Sequence, residues 1–242
     1  MILPDILVEN ARLRGSRLAI LDDEGAFTWT EFADRVARAA GLLKSIGLAP
    51  RDRFALIMRN GFRNAELLWA GYWAGVVPVP INWRLNPREI AAILEDSGCK
   101  FIALAGEFLP LLDPPALAMW TGRTLSVEAL PGDSAQYEAR IAATAAVTVH
   151  PSSESDDAIL LYTSGTTGSG KGVRLTHRNI ISDAWQNGLA LGIRPGDIYM
   201  HVAPMFHSAD LNATICFLLG CAHVYVAQFS PAGVFAAIER HR

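Results

Sequence analysis

Leu160-Leu161-Tyr162-Thr163-Ser164-Gly165-Thr166-Thr167-Gly168-Ser169-Gly170-Lys171-Gly172 is the stretch on which the reading of the chain turns. The apolar run from Ala158 to Tyr162 predicts a buried strand of a parallel sheet. The chain then breaks into small, hydroxylated and glycine residues and reaches a single lysine. Glycines let successive backbone N–H groups turn into one concavity, which suits an anion. Hydroxyls add donors, and Lys171 adds a point charge. Thr163, Ser164, Gly165, Thr166, Thr167, Gly168 and Lys171 are therefore the candidates for holding a polyphosphate. The plain alternative is a flexible Gly/Ser/Thr surface loop. The preceding strand and the lysine, each placed where a phosphate site needs it, favour the phosphate reading.

One rival is the P-loop of nucleotide hydrolases. Gly165, Gly170 and Lys171 match its G-x-x-x-x-G-K spacing, but Gly172 stands where a Ser or Thr should reach Mg²⁺. A P-loop also opens straight into a helix. Here Gly172-Val173-Arg174-Leu175-Thr176 alternates like a strand, and a helix is predicted only from Thr176 or His177 onward.

From Tyr162 through Gly172 and on to Val173-Arg174-Leu175-Thr176-His177-Arg178-Asn179, the chain resembles the signature of the AMP-forming acyl-adenylating superfamily. That superfamily includes acyl-CoA synthetases, luciferases and peptide-synthetase adenylation domains. Its pattern T-S-G-T-T-G-x-P-K-G is met at every fixed position except one, where Gly170 replaces proline. The replacement is expected to loosen the loop before Lys171. A second stretch, Gly75-Val76-Val77-Pro78-Val79-Pro80-Ile81-Asn82 followed by Leu85-Asn86-Pro87-Arg88-Glu89-Ile90, resembles the early region of acyl-CoA synthetases. It is less specific and reports mainly on fold.

The 242 residues suffice for one large domain or two small ones. Hydrophobic residues make up 51% and charged residues 19%, as in a soluble α/β enzyme. A net charge of −3 gives no broad basic surface for nucleic acid. Cys99, Cys216 and Cys221 form no C-x-x-C pair and no zinc spacing, so they read as buried, reduced thiols in a cytoplasmic protein. The first ten residues are apolar but carry Asp5 and Glu9 with no basic start, a poor signal peptide. The longest apolar run, 67–81, is too short to span a membrane. Peripheral membrane contact and a homodimer are both compatible with the sequence.

Along the chain, Thr28-Trp29-Thr30-Glu31 reads as a capping box, and the helix it opens stops near Gly47. Strands are predicted at 54–58, 76–81 and 101–104, and helices at 65–74 and, capped by Asn86 with Pro87 behind it, up to Gly98. The span 105–151 is the least legible, with a helix at 137–146. Ser152-Ser153-Glu154-Ser155-Asp156-Asp157 reads as a polar linker, its acids solvated. Helix 177–191, strand 198–202, a helix ending at Leu219, strand 222–227 and helix 231–240 follow. This alternation predicts an α/β fold, mostly parallel sheets with helices on both faces. Residues 1–155 are expected to form an N-terminal α/β subdomain. Residues 156–242 are expected to carry the glycine loop within the same large domain.

His207 is the second residue to single out. It sits on Pro204-Met205-Phe206-His207, beyond a predicted strand end, where open α/β sheets place ligands. A loop histidine bonded to backbone is the bland alternative. Met205 and Phe206 read either as lining for an apolar substrate or as plain core. His150, His201 and His223 show no carboxylate or cysteine partner at ligand spacing, which argues against a metal site.

The resemblance implies more. It implies the incomplete N-terminal domain of an adenylate-forming enzyme that converts a carboxylic acid, ATP and coenzyme A to a thioester through an acyl-adenylate. It implies that the glycine loop positions the phosphates, that Lys171 neutralises them, that a loop hydroxyl such as Thr166 helps place Mg²⁺, and that the segment ending at His207 borders the acyl group. Relatives often have glycine where this chain has Asp210, so the pocket wall should differ. The apolar character of Met205 and Phe206 favours a fatty acid. The family's later motifs for adenine, ribose, Mg²⁺ and the C-terminal lysine are not found before Arg242, so the chain alone is expected to be weak or inactive in thioester formation. The alternatives are a non-catalytic protein that holds a nucleotide or acyl ligand and, behind it, a P-loop kinase or hydrolase.

Overall fold

The computed structural model describes residues 1–22, 25–128, 134–163 and 170–241. Its elements in chain order are α1 (Leu3–Arg14), β1 (Leu18–Asp22), β2 (Gly25–Thr28), α2 (Trp29–Ser45), β3 (Arg53–Ile57), α3 (Phe62–Ala74), β4 (Val77–Pro80), α4 (Pro87–Ser97), β5 (Phe101–Ala105), α5 (Pro115–Ala118) and β6 (Thr124–Glu128). Then follow α6 (Ser134–Ala143), β7 (Asp157–Tyr162), β8 (Gly172–Thr176), α7 (His177–Leu191), β9 (Ile198–His201), α8 (Ala213–Leu219), β10 (Ala222–Tyr225) and α9 (Pro231–Arg240).

One sheet runs β4-β3-β5-β6 with every pair parallel. Its inner strands read as near-continuous apolar runs because both faces are covered: Phe54, Ala55, Leu56 and Ile57 are all buried. The second sheet runs β2-β1-β10-β9, parallel except for the β1–β2 hairpin. β1 and β10 come from opposite sides of the acidic linker, so the stretches before and after it share this sheet. α2 packs on β1 and β2, α3 packs on β4, and the two helices pack on each other, tying the sheets together. Trp29, Phe32, Phe54 and Leu67 are fully buried in the common core.

The caps read from sequence form as expected. Thr28 Oγ1 accepts from the Glu31 N–H while Glu31 accepts from the Thr28 N–H, and Asn86 and Glu89 do the same for α4. Gly98 ends α4 at φ 63°, a left-handed position that disfavours side chains. Two expectations change. First, the strand over 158–162 is not in a parallel sheet: β7 pairs antiparallel with β8, in register Tyr162 with Gly172 and Leu160 with Arg174. A short loop can join antiparallel strands, whereas parallel strands need a long crossover. The run is apolar because β7 also lies against β4. Second, the linker acids are ion-paired rather than merely solvated. Glu154 meets Arg178, Asp156 lies 3.5 Å from Arg51, and Asp157 lies 2.7 Å from Arg174.

The elements α1, β1, β2, α5 and β6 went unread. α1 is an amphipathic helix with Leu3, Ile6, Leu7 and Asn10 buried, opened by Pro4 and by the Asp5 carboxylate, which accepts the Ile2 N–H at 2.9 Å. β1, β2 and β6 are short strands with weak alternation, and β2 and β6 lie at sheet edges. No helix among the described residues is long and apolar enough to cross a membrane. All three cysteines are buried and free.

Candidate functional site

The hairpin β7–β8 carries the glycine loop at its tip. At the mouth, the Thr163 N–H donates to the Lys171 carbonyl at 3.1 Å, so the two described ends of the loop are pinned together. Thr163 and Lys171 are exposed, and among the described residues Lys171 forms no ion pair. Ser164, Gly165, Thr166, Thr167 and Gly168, the other candidates for phosphate, lie outside the described residues. Gly170 abuts the opposite strand end: a Cβ there would fall 2.8 Å from the Thr163 carbonyl oxygen. Gly172 is flanked as closely, with a Cβ position 3.1 Å from the Tyr162 ring. The Tyr162 hydroxyl donates to Asp96 at 2.5 Å, tying the hairpin to the end of α4. Burial and this carboxylate push the phenol well above its ordinary range. β8 runs into α7 through Thr176, whose side chain caps the Asn179 N–H. The strand after Lys171 rules out P-loop geometry, which needs a helix there.

His177 and Arg178 read as helix-start and packing residues, and they are. His177 is buried, and its Nδ1 accepts the Leu3 N–H at 3.2 Å, anchoring α1 across the chain. Burial lowers its pKa to about 4, against the opposing pull of Asp156 and Asp5.

The Pro204–His207 segment leaves the C-terminal end of β9, as expected of a ligand-binding loop. His207 is exposed. Its Nδ1 accepts the Ala209 N–H at 3.2 Å, leaving Nε2 to carry the proton and face outward. Met205 is buried, and Phe206 is half-buried, edge-on to Trp83 at 6.4 Å. Trp83 itself lies between two guanidiniums, Arg59 at 4.5 Å and Arg84 at 4.7 Å.

What holds this segment was not visible in the sequence. Asn60, just past β3, donates Nδ2–H to the carbonyls of His201 at 3.0 Å and Ala203 at 2.8 Å. Its Oδ1 accepts the Met205 N–H at 2.9 Å. One buried amide thus fixes the segment onto the end of the parallel sheet. The only sequence signal was a polar residue between a strand and a helix, which suggests a cap. The cap position is in fact Gly61, with no side-chain bond.

His201 has a carboxylate partner, nine residues away rather than at ligand spacing. Its Nδ1 lies 2.6 Å from Asp210 Oδ1 and its Nε2 lies 3.0 Å from His223 Nδ1. All three residues are buried. With the carboxylate accepting, the proton belongs on His201 Nδ1, and His223 donates Nδ1–H to His201 Nε2. His223 Nε2 is then a lone pair, with no partner among the described residues. Burial, with His201 beside it, holds the His223 pKa well below the ordinary value, so this ring is neutral. The row is a structural relay. No group of three His, Cys, Asp or Glu among the described residues is placed to hold a metal ion.

A cleft of about 550 Å³ lies at the far end of the hairpin from Lys171. It is lined by Arg51, Arg53, Arg174, Asp156 and Asp157 and contains none of the predicted site residues. Asp156 and Asp157 pair with two of its arginines, so its size does not make it the site. A second, small cleft lies beside Met205 and Asp210.

Comparison with known proteins gives the family and the fold. The family described as AMP-binding enzyme matches residues 7–242. A benzoate–CoA ligase of Thauera aromatica is 30% identical over 234 residues, 95% of this chain and 44% of that protein. The long-chain-fatty-acid–CoA ligase FadD13 of Mycobacterium tuberculosis is 31% identical over 224 residues, 89% and 42%. The inhibitor-bound N-terminal domain of FACL13 from Mycobacterium tuberculosis superposes with a TM-score of 0.87 at 27% identity, covering 98% of this chain and 60% of that one. The chain thus spans under half the length of these ligases. A match that runs almost from end to end, on this fold and through this loop, establishes that the chain belongs to the AMP-binding enzyme family.

Proposed function

We propose that this chain supplies the phosphate grip and part of the acyl pocket of an acid–CoA ligase. The match to AMP-binding enzymes across residues 7–242 carries the reading, because both the glycine loop and the His207 segment fall inside it. A carboxylate oxygen of the acid attacks the α-phosphorus of ATP, an acyl-adenylate forms, and pyrophosphate leaves. The thiol of coenzyme A then attacks the acyl carbon, a thioester forms, and AMP leaves. Adenylation is needed because a carboxylate is a poor electrophile.

In this reading Lys171 stands at the loop mouth and balances charge on the leaving phosphates. Thr163, Ser164, Gly165, Thr166, Thr167 and Gly168 give hydroxyl and backbone donors to the same phosphates. His207, its Nδ1 engaged, offers Nε2–H to the acid's carboxylate. Met205 and Phe206 shape the apolar side of the pocket. Mg²⁺ enters only through the expected contact at Thr166, and no step is assigned to it. The acid is apolar, either a fatty or an aromatic one, since the similar ligases include one for benzoate and one for long-chain fatty acids. Three buried free thiols suit a reducing, cytoplasmic setting.

The test is exchange of labelled pyrophosphate into ATP, with dodecanoate and benzoate as trial acids. Slow exchange that depends on the acid supports the reading. ATP binding without exchange would favour a nucleotide-binding protein, and ATP hydrolysis without acid would favour a hydrolase.

A further inference from the structure

We infer that the arginine-lined cleft at the far end of the hairpin is a second anion site and that it takes the phosphate group of a small phosphate monoester. The inference does not depend on the ligase reading above. The cleft, about 550 Å³, falls in the size range of small-molecule sites. Arginines reach it from three places: Arg51 from the turn before β3, Arg53 from β3 itself and Arg174 from β8. His150 forms another wall. Its N–H donates to the Trp73 carbonyl at 2.8 Å, and its ring rests on Gly75, where a Cβ would collide with it.

Arg51 is the residue out of place. Its φ is 72°, and among the described residues it alone of the non-glycines has a positive φ. A side chain is disfavoured there, and glycine is the ordinary occupant. The backbone is held in this conformation by the Arg51 N–H, which donates to the Gly75 carbonyl at 2.7 Å. The guanidinium does little for the fold in return. It is 85% exposed, lies 3.5 Å from Asp156 and makes no hydrogen bond among the described residues. Strain kept without a structural return marks a ligand clamp. The other two arginines also have donors to give. Arg174 uses Nε on Asp157 at 2.7 Å and keeps both Nη groups. Arg53 gives one Nη1–H to the Ser97 carbonyl at 2.6 Å, which leaves its charge unmatched. Three guanidiniums thus face two carboxylates, and exposed pairs of this kind hold weakly. A phosphate group meets the spare N–H donors with bidentate, charge-assisted bonds. The room left beyond one phosphate suits an organic body of sugar size.

The test is calorimetric titration of the full chain carrying Lys171→Ala, which weakens the glycine loop, with ribose 5-phosphate and with inorganic phosphate. Ribose 5-phosphate should bind, and more tightly than inorganic phosphate. Adding Arg51→Gly should weaken that binding about 10-fold or more. The same change should leave the melting temperature equal or higher, because it removes a side chain from a left-handed position. Adding Arg174→Gln instead should also weaken binding. No binding of either probe, or binding that both arginine variants leave unchanged, would overturn the inference. Tighter binding of inorganic phosphate than of the ester would overturn the assignment to a monoester. An Arg51→Gly protein that melts well below its parent would overturn the inference too, since the guanidinium would then already hold the fold. None of these outcomes touches the ligase reading, which pyrophosphate exchange tests separately.

Discussion

The mouth of the glycine loop and the β9 segment are held in opposite ways. Thr163 and Lys171 at the mouth are exposed and are pinned by a backbone bond between them and by the neighbouring Tyr162–Asp96 contact. The β9 segment is clamped from below by three bonds to Asn60 and from the side by the row of Asp210, His201 and His223. A loop that wraps a changing phosphate needs donors and little else. A wall that discriminates between acyl groups has to be rigid, and rigidity comes from buried, satisfied polar groups. The first kind of chemistry is written in consecutive residues, and the second is written in residues far apart.

The largest effect should come from cutting the clamp. Asn60→Ala leaves the Ala203 carbonyl and the Met205 N–H without these partners, while the His201 carbonyl keeps the Val226 N–H, and at 1–3 kcal/mol for each of the two groups the loss should be about 4 kcal/mol. Urea unfolding of the variant measures it. A loss below about 1 kcal/mol would mean that the segment is held elsewhere.

A smaller effect should appear at His177, which joins the end of the hairpin to α1. Its folded pKa, about 4, lies below the ordinary 6.5 because burial disfavours the charged ring. The unfolded chain therefore binds a proton that the folded chain refuses. Its contribution is complete above pH 6.5 and is lost as pH falls from 6.5 towards 4. The full shift corresponds to about 3 kcal/mol. Stability measured across that window should fall in the parent, and His177→Gln should flatten this part of the profile.

The smallest effect concerns the tip. Restoring the family's proline by Gly170→Pro should destabilise by about 1 kcal/mol rather than stiffen the loop, since any Cβ there presses on the Thr163 carbonyl. A rise in melting temperature would show that the mouth widens without strain.

The same contrast explains what the sequence could reveal. The caps at Thr28 and Asn86, the β-α alternation and the strand after Lys171 depend on neighbours within a few residues, and they were legible. The β7–β8 pairing was misread because a continuous apolar run looks alike whether parallel strands or an antiparallel partner and β4 cover it. The sequence showed no partner for His201 at ligand spacing, and its carboxylate, Asp210, arrives through a turn nine residues on. Asn60 gave no signal beyond that of a possible cap, since its three partners lie more than 140 residues away. α1 was missed because only five of its twelve residues are buried, among them Pro4 and Asn10, which blur the apolar stripe.

The central claim is that the glycine loop grips phosphate through Lys171. The most direct measurement is calorimetric binding of Mg·ATP to the parent chain and to Lys171→Ala, with melting temperatures recorded alongside. The account requires that the parent bind and that the variant bind at least about 10-fold more weakly, which is about 1.4 kcal/mol, with an unchanged melting temperature. Equal affinity in the two proteins, or no binding in the parent, would contradict it.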